Sequence, residues 1–149
     1  MKRLSSVFYM WIGLGLGVLA VFMMFVPFVS YDGGTTLAAR HLFWGLGQSG
    51  GAWPAFVGYM LILVGALMTG VMALPFIQPS IKAEKIVLIS SAALILVGVI
   101  LVGLITVEYS LAGGMFYSHV DYFLPGFYLT IVFSAGAIAM DVIALVLDW

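Results

Sequence analysis

Hydrophobic positions in this chain run on rather than alternate. Residues 7–29, 54–77, 86–107 and 122–140 form four uncharged stretches of 23, 24, 22 and 19 residues. A helix rises 1.5 Å per residue, so about 20 apolar residues cross a hydrocarbon core of roughly 30 Å. Lipid offers no partners to backbone N–H and C=O groups, so each crossing must satisfy them within a helix. Unbroken runs also argue against a β-barrel, whose strands alternate with a period of two. The pattern predicts an all-α polytopic membrane protein. We expect a four-transmembrane-helix bundle forming one domain over residues 1–149. The spans fall at about 7–29, 54–77, 86–107 and 122–145, the outer loops at 30–53 and 108–121, and the inner loop at 78–85.

The start of the chain, Met1-Lys2-Arg3, looks like the charged region of a signal peptide. The run behind it is longer than the 7–15 residues of a signal core, and no A-x-A site follows. We read it as a retained first span.

Small residues recur at helical spacing along the spans. Gly13, Gly17 and Ala20 mark the first, Gly58, Gly65 and Thr69 the second, Ser91 and Gly98 the third. Gly126, Thr130, Ser134, Ala137 and Asp141 mark the fourth. Helices in lipid associate by close packing at such positions. Gly13, Gly17, Gly58, Gly65, Gly98 and Ser134 are therefore the packing candidates. The short 78–85 loop predicts that the second and third helices are antiparallel neighbours. Pro75 and Pro79 close the second span, Pro54 and Pro125 suit first helical turns, and Pro27 is expected to kink the outer end of the first.

Composition agrees with a lipid environment. Of 149 residues, 64% are hydrophobic and 7% charged, against roughly 25% charged in soluble domains. The mean hydropathy is +1.25. A net charge of −1 leaves no basic patch for nucleic acid. Cysteine is absent, which excludes disulfides, thiolate metal sites and cysteine nucleophiles.

The few charges set an orientation. Lys2, Arg3, Lys82 and Lys85 fall on one side and Arg40 on the other. The positive-inside rule then places both termini in the cytoplasm of a multi-pass cell-membrane protein. Phe8, Tyr9, Trp11 and Trp149 suit the inner interface. Phe28, Tyr31, Trp44, Trp53, Tyr117 and Tyr122 suit the outer one.

The first outer loop is the longer. Residues 36–45 have helical character, and Phe43, Trp44 and Leu46 suit the headgroup layer. We expect a short interfacial helix here, capping the outer mouth. Arg40, Phe43, Trp44 and Trp53 would form its docking surface. Trp44-Gly45-Leu46-Gly47 resembles part of the W-GLW motif of claudin-like four-span proteins. Gly47 stands where that motif has its second tryptophan, and the family's cysteine pair is missing. The resemblance covers four residues and the layout. It implies a structural or assembly role and a sheet-forming first loop.

Three sets of residues are candidates for chemistry. His41, His119, Glu108 and Asp121 all fall on the outer side, where imidazoles and carboxylates are able to hold a divalent metal. The two histidines are 78 residues apart and match no ligand spacing, so solvated interfacial histidines are the simpler reading. Haem ligation by that pair is a weaker alternative. Asp141 follows the fourth apolar run. We expect it at the inner membrane edge, in an ion pair with Lys82 or Lys85, with proton coupling as the alternative. Ser90, Ser91, Thr69 and Thr130 are expected to bond back to their own helices. No phosphate loop, H-E-x-x-H or G-x-S-x-G is present.

These features predict a non-catalytic accessory, assembly or structural subunit of a larger membrane complex, with no cofactor but with bound lipid. Its partners would be the bilayer and other membrane subunits or further copies of itself, and no nucleic acid. A small oligomeric transporter or channel is the first alternative. A metal- or haem-binding redox subunit is the second.

Overall fold

The structure, a computed structural model, describes residues 2–31, 34–37, 53–103, 122–123 and 125–147. Four helices carry it: α1 (Lys2–Phe22), α2 (Trp53–Met72), α3 (Ile81–Gly103) and α4 (Pro125–Leu147). Three short strands accompany them: β1 (Pro27–Tyr31), β2 (Gly34–Leu37) and β3 (Tyr122–Phe123). The end of the helical body that holds Lys82 and Lys85 is the basic end below, and the opposite one is the sheet end.

The first span departs from expectation at Pro27. Helix α1 gives way to a 3-10 turn over Met23–Phe25, and Val26 is extended (φ −94°, ψ 147°). Steric clash with the proline ring pushes the preceding residue out of the helical region, and proline has no N–H to continue the ladder. The chain therefore starts a strand where a kinked helix was expected.

The strands form one antiparallel sheet in the order β2-β1-β3. Ser30 pairs with Thr35 and Tyr31 with Gly34, and an irregularity falls between Pro27 and Val29. On the other edge of β1, Val29 pairs with Phe123 and Ser30 with Tyr122. This small sheet is added to the helical frame that the sequence predicts. The start of the interfacial helix is corrected, because Thr36 and Leu37 belong to β2. The rest of that expected helix, residues 38–45, lies outside the described residues.

Helix α2 packs closely against α3, and α1 against α4; contacts of α1 with α2 and of α3 with α4 close the ring. The closest approach joins α2 and α3. A Cβ added to Gly58 would lie 2.5 Å from the Gly98 carbonyl oxygen, and one on Gly98 equally close to that of Gly58. A Cβ on Gly17 of α1 would lie 2.5 Å from that of Ala66 on α2. On Gly65 it would meet Ile95, and on Gly13 it would meet Met140 and Asp141.

The loop between α2 and α3 is set by local chemistry. Helix α2 ends at Met72, ahead of Pro75 and Pro79. Ser80 then caps α3: its Oγ accepts from the Ala83 N–H at 3.2 Å, which satisfies one orphan donor of the first turn.

Large apolar side chains cover the outside of the helical body as well as lying within it. The interior holds Met10, Tyr59, Ile62, Leu88 and Ile95 among Ala, Ser, Thr and Gly, and Phe8, Phe22, Leu67, Ile89, Leu96 and Val132 are exposed. An apolar exterior of this extent is what a lipid solvent selects. Three described segments, Leu4–Phe25, Ile81–Gly103 and Pro125–Leu147, are long and apolar enough to cross a membrane. The apolar part of the fourth, Phe56–Met72, is shorter.

Candidate functional site, a carboxyl group where four helices meet

The described polar side chains of the interior gather in three places along the helical body. The middle one centres on Asp141 of α4, which is 1% exposed. Thr69 Oγ1 of α2 donates to Asp141 Oδ1 at 2.9 Å. Ser91 Oγ of α3 lies 2.8 Å from Asp141 Oδ2 and 2.7 Å from the Gly65 carbonyl oxygen of α2. The two hydroxyl oxygens are themselves 2.8 Å apart. Helix α1 contributes Gly13: a Cβ there would sit 3.4 Å from Asp141 Oδ1. All four helices thus converge on this carboxyl group.

This placement corrects the expected edge position and the expected ion pair. Asp141 is bonded to hydroxyls, at the level of Ser91, the eleventh of the 23 residues of α3. Lys82 and Lys85 lie nine and six residues earlier on α3, which is about 13 and 9 Å along the axis. Lys82 is exposed at the basic end. The hydroxyl reading changes as well. Thr69 does reach back to Gly65 O of its own helix at 3.4 Å, but Ser91 bonds across to α2 and α4.

The second polar group lies toward the basic end. Ser6 Oγ of α1 donates to Glu84 Oε1 of α3 at 3.4 Å, and both residues are buried. Sequence reasoning passed over Glu84 because it sits among Lys82 and Lys85 in a segment read as loop. Its helical spacing from Leu88, Ser91 and Ile95, which are buried with it, is the signal that places it on the inner face.

The third lies toward the sheet end. Thr130 Oγ1 donates to the Gly126 carbonyl at 2.7 Å, which leaves its lone pairs free to accept from Tyr59 Oη at 3.1 Å. Between these groups, Ser134 Oγ is the one buried side-chain oxygen without a hydrogen-bond partner among the described residues.

The packing candidates are all interior: Gly13, Gly17, Gly58, Gly65, Gly98 and Ser134 are buried. The metal candidates His41, His119, Glu108 and Asp121 lie outside the described residues, as do Arg40, Phe43 and Trp44 of the outer cap. Trp53 is the first residue of α2. Among the described residues no group of three or more His, Asp or Glu gathers as a metal site would require. The chain matches no protein-family model, no curated protein and no solved structure.

Proposed function

We propose that the chain is a non-catalytic membrane protein of four crossings that serves as an accessory or assembly subunit of a larger membrane complex. Both termini would lie in the cytoplasm. The observation that carries this reading is the closure of the helical interior. Gly58 and Gly98 bring two backbones into contact, Gly17 meets Ala66, and Gly65 meets Ile95 and the Ser91 carbonyl. A body filled by its own helix contacts has its exterior left for recognition, and that exterior is apolar along every helix. Bound lipid and neighbouring membrane subunits are the partners that suit such a surface.

The test is extraction from native membranes with a mild detergent, followed by native mass spectrometry. The proposal expects the chain at a fixed ratio to a second membrane protein, or to further copies of itself. A lone monomer under all mild conditions would contradict it.

One observation favours a second reading, a small transporter working as an oligomer. Asp141 lies well inside the helical body, where an ionisable group marks function more often than structure. Flux in proteoliposomes that vanishes in Asp141→Asn, with expression retained, would establish that reading in place of the first.

A further inference from the structure

The oxygens around Asp141 are closer together than their hydroxyl hydrogens explain. Four contacts fall between 2.7 and 2.9 Å: Ser91 Oγ to Gly65 O, to Asp141 Oδ2 and to Thr69 Oγ1, and Thr69 Oγ1 to Asp141 Oδ1. A hydrogen between two oxygens is what makes such a distance favourable. Each hydroxyl has one hydrogen, so Ser91 and Thr69 supply two. An ionised Asp141 adds none. Two hydrogens would then be shared over four contacts, around a charge with no cation bonded to it among the described residues.

A neutral Asp141 supplies the third hydrogen. Its O–H donates from Oδ2 to Ser91, Ser91 donates to Gly65 O, and Thr69 donates to Oδ1. The remaining contact, between the two hydroxyls, is served by sharing one of these hydrogens, as three-centre bonds do elsewhere. A calcium ion does not fit the same oxygens. Oxygen ligands stand about 2.3–2.6 Å from a cation such as calcium. At right angles around it they are then more than about 3.2 Å apart, wider than the contacts seen.

We propose that Asp141 is a proton-binding site, a carboxyl group that keeps its proton at neutral pH, with Ser91, Thr69 and the Gly65 carbonyl as its hydrogen-bonding shell. The proton joins α2, α3 and α4 through one set of bonds while Gly13 of α1 closes over them. Among the described residues no other charged or titratable group is hydrogen-bonded to this shell: Lys85 is six residues from Ser91 on α3, Tyr9 four from Gly13 on α1, and Tyr128 thirteen from Asp141 on α4. Glu84 is seven residues from Ser91 on α3 and bonded to Ser6. Tyr59 is ten residues from Thr69 on α2 and bonded to Thr130. Lys82 is exposed at the basic end. The site follows from burial and geometry alone, so it stands or falls separately from the assembly role.

Infrared spectroscopy of the purified, reconstituted protein at neutral pH tests it. The expected result is a carbonyl stretch of a protonated carboxyl group that is retained in Glu84→Gln and lost in Asp141→Asn. The amide of Asn is neutral and carries hydrogens, so this variant is expected to fold. Should it fail to fold, the triple variant Asp32→Asn/Asp121→Asn/Asp148→Asn keeps Asp141 as its one aspartate. Carbon-13 labelling of aspartate in that protein is then expected to move the band. A spectrum with only ionised carboxylate, a band that disappears in Glu84→Gln, or a band unmoved by the aspartate label would overturn the assignment. So would a band that sodium, magnesium or calcium removes.

Discussion

Buried hydroxyls in this interior are not equivalent, and single substitutions should separate them. Ser91 sits 2.7–2.8 Å from three oxygens on two helices. Ser91→Ala therefore strands an oxygen of Asp141 and loosens α3 from α2 and α4. We expect a loss of about 1–3 kcal/mol, the cost of leaving a buried polar atom unmade. Tyr59→Phe removes a single bond, and Thr130 keeps its own to Gly126. Its expected cost is about 0.6 kcal/mol, the mean for hydrogen bonds between membrane helices. Ser134 Oγ has no described partner, so Ser134→Ala should be neutral or stabilising. Thermal unfolding in one detergent ranks the three. Ser134→Ala emerging as the most damaging would contradict the placement of all three hydroxyls.

At the scale of helices, glycine acts by position. Gly58→Ala and Gly98→Ala each push a methyl group to 2.5 Å from the facing backbone oxygen. Overpacking of that kind costs about 1–3 kcal/mol and outweighs the gain of roughly 1 kcal/mol in helix propensity on leaving glycine. Gly15 and Gly103 face open space within 4 Å. Gly15→Ala should stabilise the protein or leave it unchanged, whereas Gly58→Ala should lower its midpoint. Equal effects of the two would remove the case for a close α2–α3 contact. Ser80→Ala should cost about 1 kcal/mol through loss of the α3 cap, read in the same unfolding measurement.

Long apolar elements were legible because their signal is composition over some 20 residues, which no local choice obscures. Their ends were not, for specific reasons. A charge-free window discards the polar first turns at Lys2 and at Lys82-Ala83-Glu84-Lys85, although both are helical. The sheet was hidden because residues 27–31 continue the apolar run. The signals that mark it are Pro27, the β-branched and aromatic residues behind it, and the Asp32-Gly33 dipeptide favoured in tight hairpins. The small-residue face of α4 follows from spacing, and Gly126, Thr130, Ser134, Ala137 and Asp141 are all buried there. The partners of Asp141 did not follow, because they come from two other helices whose relative height no spacing records.

For the whole molecule, the account depends on all four helices crossing the bilayer, including the shorter apolar segment Phe56–Met72. A chain without cysteine allows the direct measurement, since each introduced cysteine is the only one present. Thr35→Cys in β2 and Lys82→Cys at the start of α3 lie on either side of α2, and Ser5→Cys marks the start of α1. These are reacted with a membrane-impermeant maleimide in intact cells and again after permeabilisation. The account predicts that Thr35→Cys is labelled in intact cells, and that Lys82→Cys and Ser5→Cys are labelled only once the membrane is opened. Labelling of Thr35→Cys and Lys82→Cys from the same side would show that α2 does not cross, and would contradict it.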